Sequence, residues 1–129
     1  MSYGLTATVN APFDAVVERV KEALAEQGFG VLTEIDIKAT LKKKLDVDVA
    51  DQVILGACNP TYAHQALQME PSIGLLLPCN VVVRSEGSAT QVEMINPQTM
   101  VDVTNNPQMA AVADQVTGLL QAALDKVSS

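Results

Sequence analysis

Aromatic side chains are scarce in this sequence: they make up 3% of its 129 residues, and there is no Trp. The core therefore has to be built from aliphatic side chains. Basic residues are also few, since eight Lys and Arg stand against fifteen Asp and Glu and leave a net charge of -7. A general nucleic-acid-binding protein needs a basic face that displaces counterions, so we expect no nucleic-acid partner. Two cysteines are too few for a disulfide scaffold.

The chain also lacks a long hydrophobic run. Its most apolar uncharged stretch is Pro71–Val83, which is shorter than the roughly 20 residues that a transmembrane helix needs. Residues 1–4 have neither the basic start nor the apolar core of a signal peptide. These absences predict a cytoplasmic protein with no membrane partner. A hydrophobic content of 48% with 18% charged residues excludes a disordered chain. Because no internal repeat or linker is present, we assign residues 1–129 to a single domain.

The sequence does contain a regular succession of strand and helix patterns. Apolar residues at helical spacing predict long helices over residues 12–27 and 107–127, each with one apolar face. The Glu86–Ala89 segment between two strand-like runs predicts a hairpin turn. Further patterns predict strands at Leu5–Val9, Phe29–Ile37, Val53–Gly56, Val81–Ser85 and Thr90–Ile95, and helices at Ala39–Leu45 and Thr61–Met69. We therefore predict an α+β fold of two layers, in which the helices pack on one face of a small antiparallel or mixed sheet.

The residues best suited to chemistry cluster around two Cys-Asn pairs. Cys58 lies between a predicted strand end and a predicted helix start, where backbone N–H groups stabilise a thiolate. Cys79 and Asn80 repeat the pair at another element boundary, so we interpret both pairs as parts of one site. Cys58 is the candidate nucleophile or ligand, and His64, about one turn up the helix, is the candidate proton acceptor or second ligand. Asn59, Cys79 and Asn80 are candidate ligand-binding residues, with the amides orienting the other groups.

The same residues permit other interpretations. A free cysteine is among the most buried residue types, so Cys58 and Cys79 also fit core packing, and a lone His64 also fits a surface or core position. Together the three side chains supply three ligands for zinc or a softer metal. No Cys-x-x-Cys or His-x-x-x-His spacing supports such a site, and the Cys-x-x-Cys-His haem motif is absent. The sequence therefore leaves open whether a metal, haem or no cofactor is used.

Three segments of the chain are similar to a known family. They are Ala39–Leu45, Leu55–Pro60 and Ile73–Val83. Together they resemble the bacterial and archaeal family called domain of unknown function 302, over essentially the whole chain. The motifs Gly-Ala-Cys-Asn-Pro and Leu-Pro-Cys-Asn carry the resemblance. It implies a TATA-box-binding-protein-like α+β fold that often forms a homodimer, and it implies neither DNA binding nor a particular reaction.

Two functions follow as hypotheses. In the first, a small cytoplasmic protein uses a cysteine-lined pocket to handle a thiol, a sulfur species or a soft ligand such as a metal or haem. In the second, the chain is a non-catalytic dimeric binding or assembly module in which both cysteines are buried structurally. Short strands leave sheet edges and one sheet face uncovered, so we expect a homodimer in either case. The separation and exposure of the two sulfurs distinguish the hypotheses.

Overall fold

The computed structural model describes residues 2–128, so Met1 and Ser129, which the predicted domain includes, lie outside the described residues. In chain order the elements are β1 (Gly4–Val9), α1 (Phe13–Glu26), β2 (Gly30–Asp36), α2 (Ile37–Leu45), β3 (Gln52–Cys58), α3 (Pro60–Met69), a 3-10 helix (Pro71–Leu76), β4 (Cys79–Glu86), β5 (Ala89–Ile95), α4 (Gln98–Thr104), a 3-10 turn (Pro107–Met109) and α5 (Ala110–Ser128). Within residues 2–128 five strands form one sheet in the order β1-β5-β4-β3-β2, and all neighbours are antiparallel. The predicted α+β fold is confirmed.

The core lies between one face of this sheet and the helices α1 and α5. Because side chains alternate across a strand, every second residue of the central strands faces this core, and Leu55, Val81 and Val92 are fully buried there. α1 and α5 contact each other and the sheet through apolar stripes typical of amphipathic helices. The buried helix residues are Val16, Val17, Val20, Ala23 and Leu24 on α1 and Val112, Ala113, Val116, Leu120, Ala123, Leu124 and Val127 on α5.

Several predicted boundaries shift by a few residues. The last helix begins at Ala110 instead of residue 107, because the Asn106 side chain accepts a hydrogen bond from the backbone N–H of Gln108 at 3.0 Å and caps a 3-10 turn first. The hairpin between β4 and β5 closes through Gly87, whose φ is 62°. A tight two-residue hairpin turn needs this left-handed conformation, which glycine adopts without steric cost.

Two short helical segments, α4 and the 3-10 helix before β4, were not predicted. In the sequence, Pro97 and Pro71 come shortly after a predicted strand and a predicted helix and suggest where those elements end. Proline is equally favoured at the start of a helix, where its missing N–H costs nothing and its fixed φ suits the first turn. Met100 of α4 and Leu77, which follows the 3-10 helix, line the cavity described below. These two segments therefore matter more for the candidate site than for the fold.

The face of the sheet that points away from α1 and α5, here called the open face, is only partly covered. Ile35, Ile54 and Val82 lie side by side across three strands of this face, and Ile35 is 46% exposed. On the same face Arg84 donates a hydrogen bond to Glu93 at 2.8 Å. Among the helices in residues 2–128, none is both long and apolar enough to cross a bilayer.

Candidate functional site

A small cavity lies at the end of the sheet where β3 ends and β4 begins. Its volume is about 40 Å³, which is room for roughly three water molecules. Both strands contribute to its wall, together with α3, α4 and α5. The lining residues are Phe29, Ala57, Cys58, Asn59, Tyr62, Ala63, Ala66, Leu77, Cys79, Pro97, Met100, Met109, Val112, Ala113 and Val116. This list includes no Lys, Arg, Asp or Glu, so the cavity favours an uncharged occupant.

Cys58 reaches the cavity because β3 ends there and α3 begins two residues later. Pro60 occupies the first position of α3, which stops the strand and starts the helix. Asn59 is the N-cap residue, but its side chain caps nothing. Its Nδ2 instead donates a hydrogen bond to the backbone carbonyl of Gln27 at 3.3 Å. This bond joins the end of α1 to the start of α3 beside the half-buried Cys58 thiol.

The end of α1 places an aromatic ring in the cavity wall. The backbone N–H of Phe29 bonds to the carbonyl of Leu24, and that of Gly28 bonds to the carbonyl of Ala25, each at 3.0 Å. These two bonds form a Schellman motif, which requires a left-handed residue after the helix. Gly28 supplies it with φ 85°. The chain then reverses and directs the buried Phe29 into the core beside the cavity.

Cys79, the first residue of β4, is the deeper of the two thiols. It is 7% exposed, whereas Cys58 is intermediate. Burial raises the pKa of the Cys79 thiol to about 11, and the nearby Cys58 charge adds a smaller contribution in the same direction. Cys79 is therefore a neutral thiol at physiological pH, and it meets solvent less readily than Cys58 does.

His64 and Asn80 do not join these thiols in the cavity wall. On α3 the cavity is lined by Tyr62, Ala63 and Ala66, and His64 lies outside that stripe and is exposed. On β4 the side chain after the inward-facing Cys79 has to point to the opposite face, so Asn80 lies on the open face and is exposed. The structure therefore brings Cys58, Asn59 and Cys79 together around the cavity and does not bring His64 and Asn80 into its wall.

The predicted metal set is not assembled either. Within residues 2–128 no group of three or more His, Cys, Asp and Glu side chains is arranged to hold a metal ion. Cys58 and Cys79 together offer two sulfur donors, and His64 does not complete the set. A cavity of about 40 Å³ has no room for a haem. The residues present therefore fit neither the three-ligand site nor a haem pocket.

Tyr62, Met100 and Met109 also line the cavity, although none of them was predicted as a site residue. Methionines are common in aliphatic cores, so their residue type alone does not indicate a site. Tyr62 follows Asn59 by three residues and precedes Ala66 by four, which is the spacing of one helix face. That signal was present in the sequence. Met100 lies on α4, and because that helix was missed its position had no basis for prediction.

The chain is similar to a known protein family and to a solved structure over nearly its whole length. The family model described as Domain of unknown function DUF302 matches residues 5–127, a range that includes both cysteines. One solved structure, that of the uncharacterized conserved protein DUF302 from Bacillus stearothermophilus, matches with a TM-score of 0.92 and 31% sequence identity, over 98% of this chain and 99% of that chain. No curated protein sequence matches the chain.

Proposed function

The chain belongs to the family described as domain of unknown function DUF302, and we propose that it binds a small, uncharged thiol or other sulfur species through Cys58. The observation that carries the proposal is that two free cysteine residues, the half-buried Cys58 and the buried Cys79, are both among the residues around one apolar cavity. A thiolate is the protein nucleophile and soft ligand suited to sulfur chemistry. The apolar wall then selects the uncharged part of the ligand, because burying a charge there without a partner is costly.

The two cysteines have different roles in this proposal. Cys58 is the group that meets the ligand, because it is the more accessible of the two. A thiol is held there by contact alone, whereas a disulfide exchanges with the Cys58 thiolate and releases one thiol, so that no outside oxidant is needed. Cys79 is the more deeply buried of the two, and it stays protonated near neutral pH because burial raises its pKa to about 11. Tyr62 contributes an aromatic face and Met100 a flexible thioether to the wall, and both suit contact with sulfur and short apolar groups.

Alkylation of the folded protein tests the proposal. An uncharged reagent such as iodoacetamide is expected to modify one thiol of the native protein, and peptide mapping is expected to locate it at Cys58. The variant Cys58→Ala should lose this reaction, whereas the matched variant Cys79→Ala should keep it. If both cysteines are inert in the native protein, or if Cys79 reacts first, the proposal fails.

A second measurement asks what the protein carries when it is purified. Intact mass and visible absorbance are recorded for the protein as isolated, after a reductant and after a chelator. A sulfur adduct on Cys58 that the reductant removes supports the proposal. A visible chromophore that the chelator removes points instead to a metal held by the two thiols.

A second candidate function is a homodimeric binding or assembly module with structural cysteines. The observation that favours it is the row formed by Ile35, Ile54 and Val82 on the open face. Arg84 also lies on this face, and it is already paired with Glu86 and Glu93 within the chain, each at 2.8 Å. A face with apolar residues and internally paired charge suits burial against a second copy.

Three narrower expectations belong to the proposal as well. They are a cytoplasmic location, the TATA-box-binding-protein-like relationship of the fold, and a single domain over residues 1–129. Cell fractionation tests the location, and a structural superposition on TATA-box-binding proteins tests the relationship. Limited proteolysis tests the domain assignment, because a single domain yields no stable fragment much shorter than the chain.

A further inference from the structure

The cavity at the end of the sheet gathers polarizable side chains in a chain that has few of them. The sequence contains two Phe, two Tyr and no Trp, and Phe29 and Tyr62 both line this cavity. Met100 and Met109 line it as well, and both are buried. Sulfur makes favourable contacts with aromatic rings, and thioethers are themselves soft and polarizable. The composition of the wall therefore suits an occupant that contains sulfur.

Cys79 contributes to the wall from the side of the sheet. Ala57 and Cys79 are antiparallel partners, and both side chains are buried on the helix-covered face. Within the described part of the chain, the Cys79 thiol has no side-chain hydrogen-bond partner. A thiol is a weak donor and a weak acceptor. It therefore suits contact with another soft group better than contact with a strongly hydrated one.

Water fits this cavity poorly. A buried water molecule makes about three hydrogen bonds, whereas the polar side chains around the cavity are only those of Cys58, Asn59, Tyr62 and Cys79. The Asn59 amide already donates to the backbone carbonyl of Gln27. Cavities with apolar walls stay dry and take up apolar molecules instead. The volume of about 40 Å³ limits such a molecule to roughly three non-hydrogen atoms, because each water-sized group needs about 10–15 Å³.

We propose that this cavity is a non-covalent binding site for uncharged thiols of up to about three non-hydrogen atoms, such as ethanethiol. The inference rests on the proposed function for the class of ligand, and it adds a size limit and a contact with the buried Cys79. It does not require Cys58 to react, and no bond is made or broken. Because the lining residues include no Lys, Arg, Asp or Glu, a thiolate or a carboxylate gains no partner there and is excluded.

Alanine methyl groups in the wall report whether the cavity is occupied. The lining alanines are Ala57, Ala63, Ala66 and Ala113. Ala23 and Ala123 are buried in the core but are not among the lining residues, so they serve as internal references. In NMR spectra of the reduced protein with labelled alanine methyl groups, recorded without oxygen, ethanethiol is expected to shift the lining signals and to leave the references in place.

A series of probes separates the size of the ligand from its chemistry. 1-Butanethiol is more hydrophobic than ethanethiol but longer, and forcing extra methylene groups into a packed site is costly. Its dissociation constant is therefore expected to be at least about tenfold higher. Ethanol matches ethanethiol in length but carries a strongly hydrated hydroxyl group, which costs more to bury. Its dissociation constant is also expected to be at least about tenfold higher.

Filling the cavity is expected to abolish binding. Ala63 is half-buried on α3, and Ala63→Leu adds side-chain volume to the wall. The dissociation constant for ethanethiol should rise by at least about tenfold in this variant. The matched control is Ala110→Leu, because Ala110 is half-buried on α5 but is not among the lining residues. This control should bind ethanethiol as the wild type does.

The outcomes separate this inference from the proposed function. The inference is overturned if ethanethiol shifts no lining methyl signal, if 1-butanethiol or ethanol binds equally well, or if Ala63→Leu binds as the wild type does. In each case the reaction of Cys58 with iodoacetamide still decides the proposed function separately. If the methyl signals shift as expected while Cys58 is inert, the inference stands and the proposed role of Cys58 fails. The probe series uses the wild type, so the test does not depend on Ala63→Leu folding.

Discussion

Burial of the Cys79 thiol makes the stability of the protein depend on pH in a defined window. The pKa of this thiol rises from 9.0 to about 11 on folding, chiefly because of burial. Above pH 9 the unfolded chain releases this proton while the folded chain keeps it, so stability falls as pH rises toward 11. We expect the free energy of unfolding to drop by roughly 2–3 kcal/mol between these values from this group alone. Urea titrations at each pH measure it.

The control for this prediction is Cys79→Ala. Lys and Tyr residues also titrate in the same range, but they contribute equally to the wild type and to the variant. The loss of packing in Cys79→Ala lowers stability by an amount that does not depend on pH. The difference between the two proteins should therefore shrink as pH rises from 9 to 11. A constant difference would show that Cys79 is not desolvated in solution.

A second prediction concerns the effect of the His64 side chain on the reactivity of Cys58. A general base contributes about 10²–10⁴-fold to the step it assists. His64 is exposed and does not line the cavity, so we expect His64→Ala to change the alkylation rate of Cys58 by no more than about twofold. Rates are measured between pH 5 and pH 8 under pseudo-first-order conditions. A large loss in the variant would place His64 in contact with the thiol and would contradict the structure.

The candidate residues show what a sequence pattern can and cannot predict. Cys58, Asn59 and Cys79 were predicted from their places at element ends, and they line the cavity. Asn80 was grouped with them by its likeness to Asn59, but strand alternation decides otherwise. Val81 is buried, so Cys79 shares its face and Asn80 does not. The alternation of apolar and polar residues along this strand is visible in the sequence, and it predicts the face of Asn80 better than the repeated Cys-Asn dipeptide does.

At the scale of elements, the junction of α1 with α3 controls the shape of the cavity. Gly28 has φ 85°, and a Cβ atom there would lie 3.1 Å from Asn59 Nδ2. A non-glycine residue in the left-handed region costs about 1–2 kcal/mol. We therefore expect Gly28→Ala to lower the free energy of unfolding by at least this amount in urea titrations, and to disturb the hydrogen bond from Asn59 to Gln27.

Gly30→Ala is the matched control for that variant. Gly30 lies two residues away, and a Cβ atom there meets no heavy atom within 4 Å. We expect its effect on stability to stay within about 0.5 kcal/mol, as for most surface substitutions. Equal losses in the two variants would show that the left-handed turn is not what stabilises this junction.

Elements with long periodic patterns were predicted well, and short ones were not. α1 and α5 repeat their apolar stripe over several turns, so a period of 3.6 residues is evident without any tertiary information. α4 has seven residues, or about two turns, which is too short for a period to stand out. Its position depends on packing of Met100 against the rest of the core, and such long-range contacts leave no local signal.

At the scale of the whole molecule, the two faces of the sheet differ in what they offer. The helix-covered face contains the core and, at its end, the buried Cys79. The open face contains a row of apolar side chains beside the ion pair of Arg84 and Glu93. On the edge strand β2, Leu32 and Ile35 are 67% and 46% exposed. A sulfur site on one side and an association surface on the other are compatible, so the two candidate functions do not exclude each other.

The open face leads to the prediction of a homodimer in solution. Burying the row of Ile35, Ile54 and Val82 against a second copy removes apolar surface from water, at about 25 cal/mol per Å². We expect light scattering at high micromolar concentration to give twice the monomer mass.

Ile35→Lys places a charge in this row at a position exposed enough to tolerate it, so the dissociation constant of the dimer should rise by about tenfold or more. Leu75→Lys, at a site that is 87% exposed in the 3-10 helix, is the matched control and should remain dimeric. A monomer mass for the wild type at the same concentration would rule out the dimer, and equal weakening by both variants would show that the open face is not the interface.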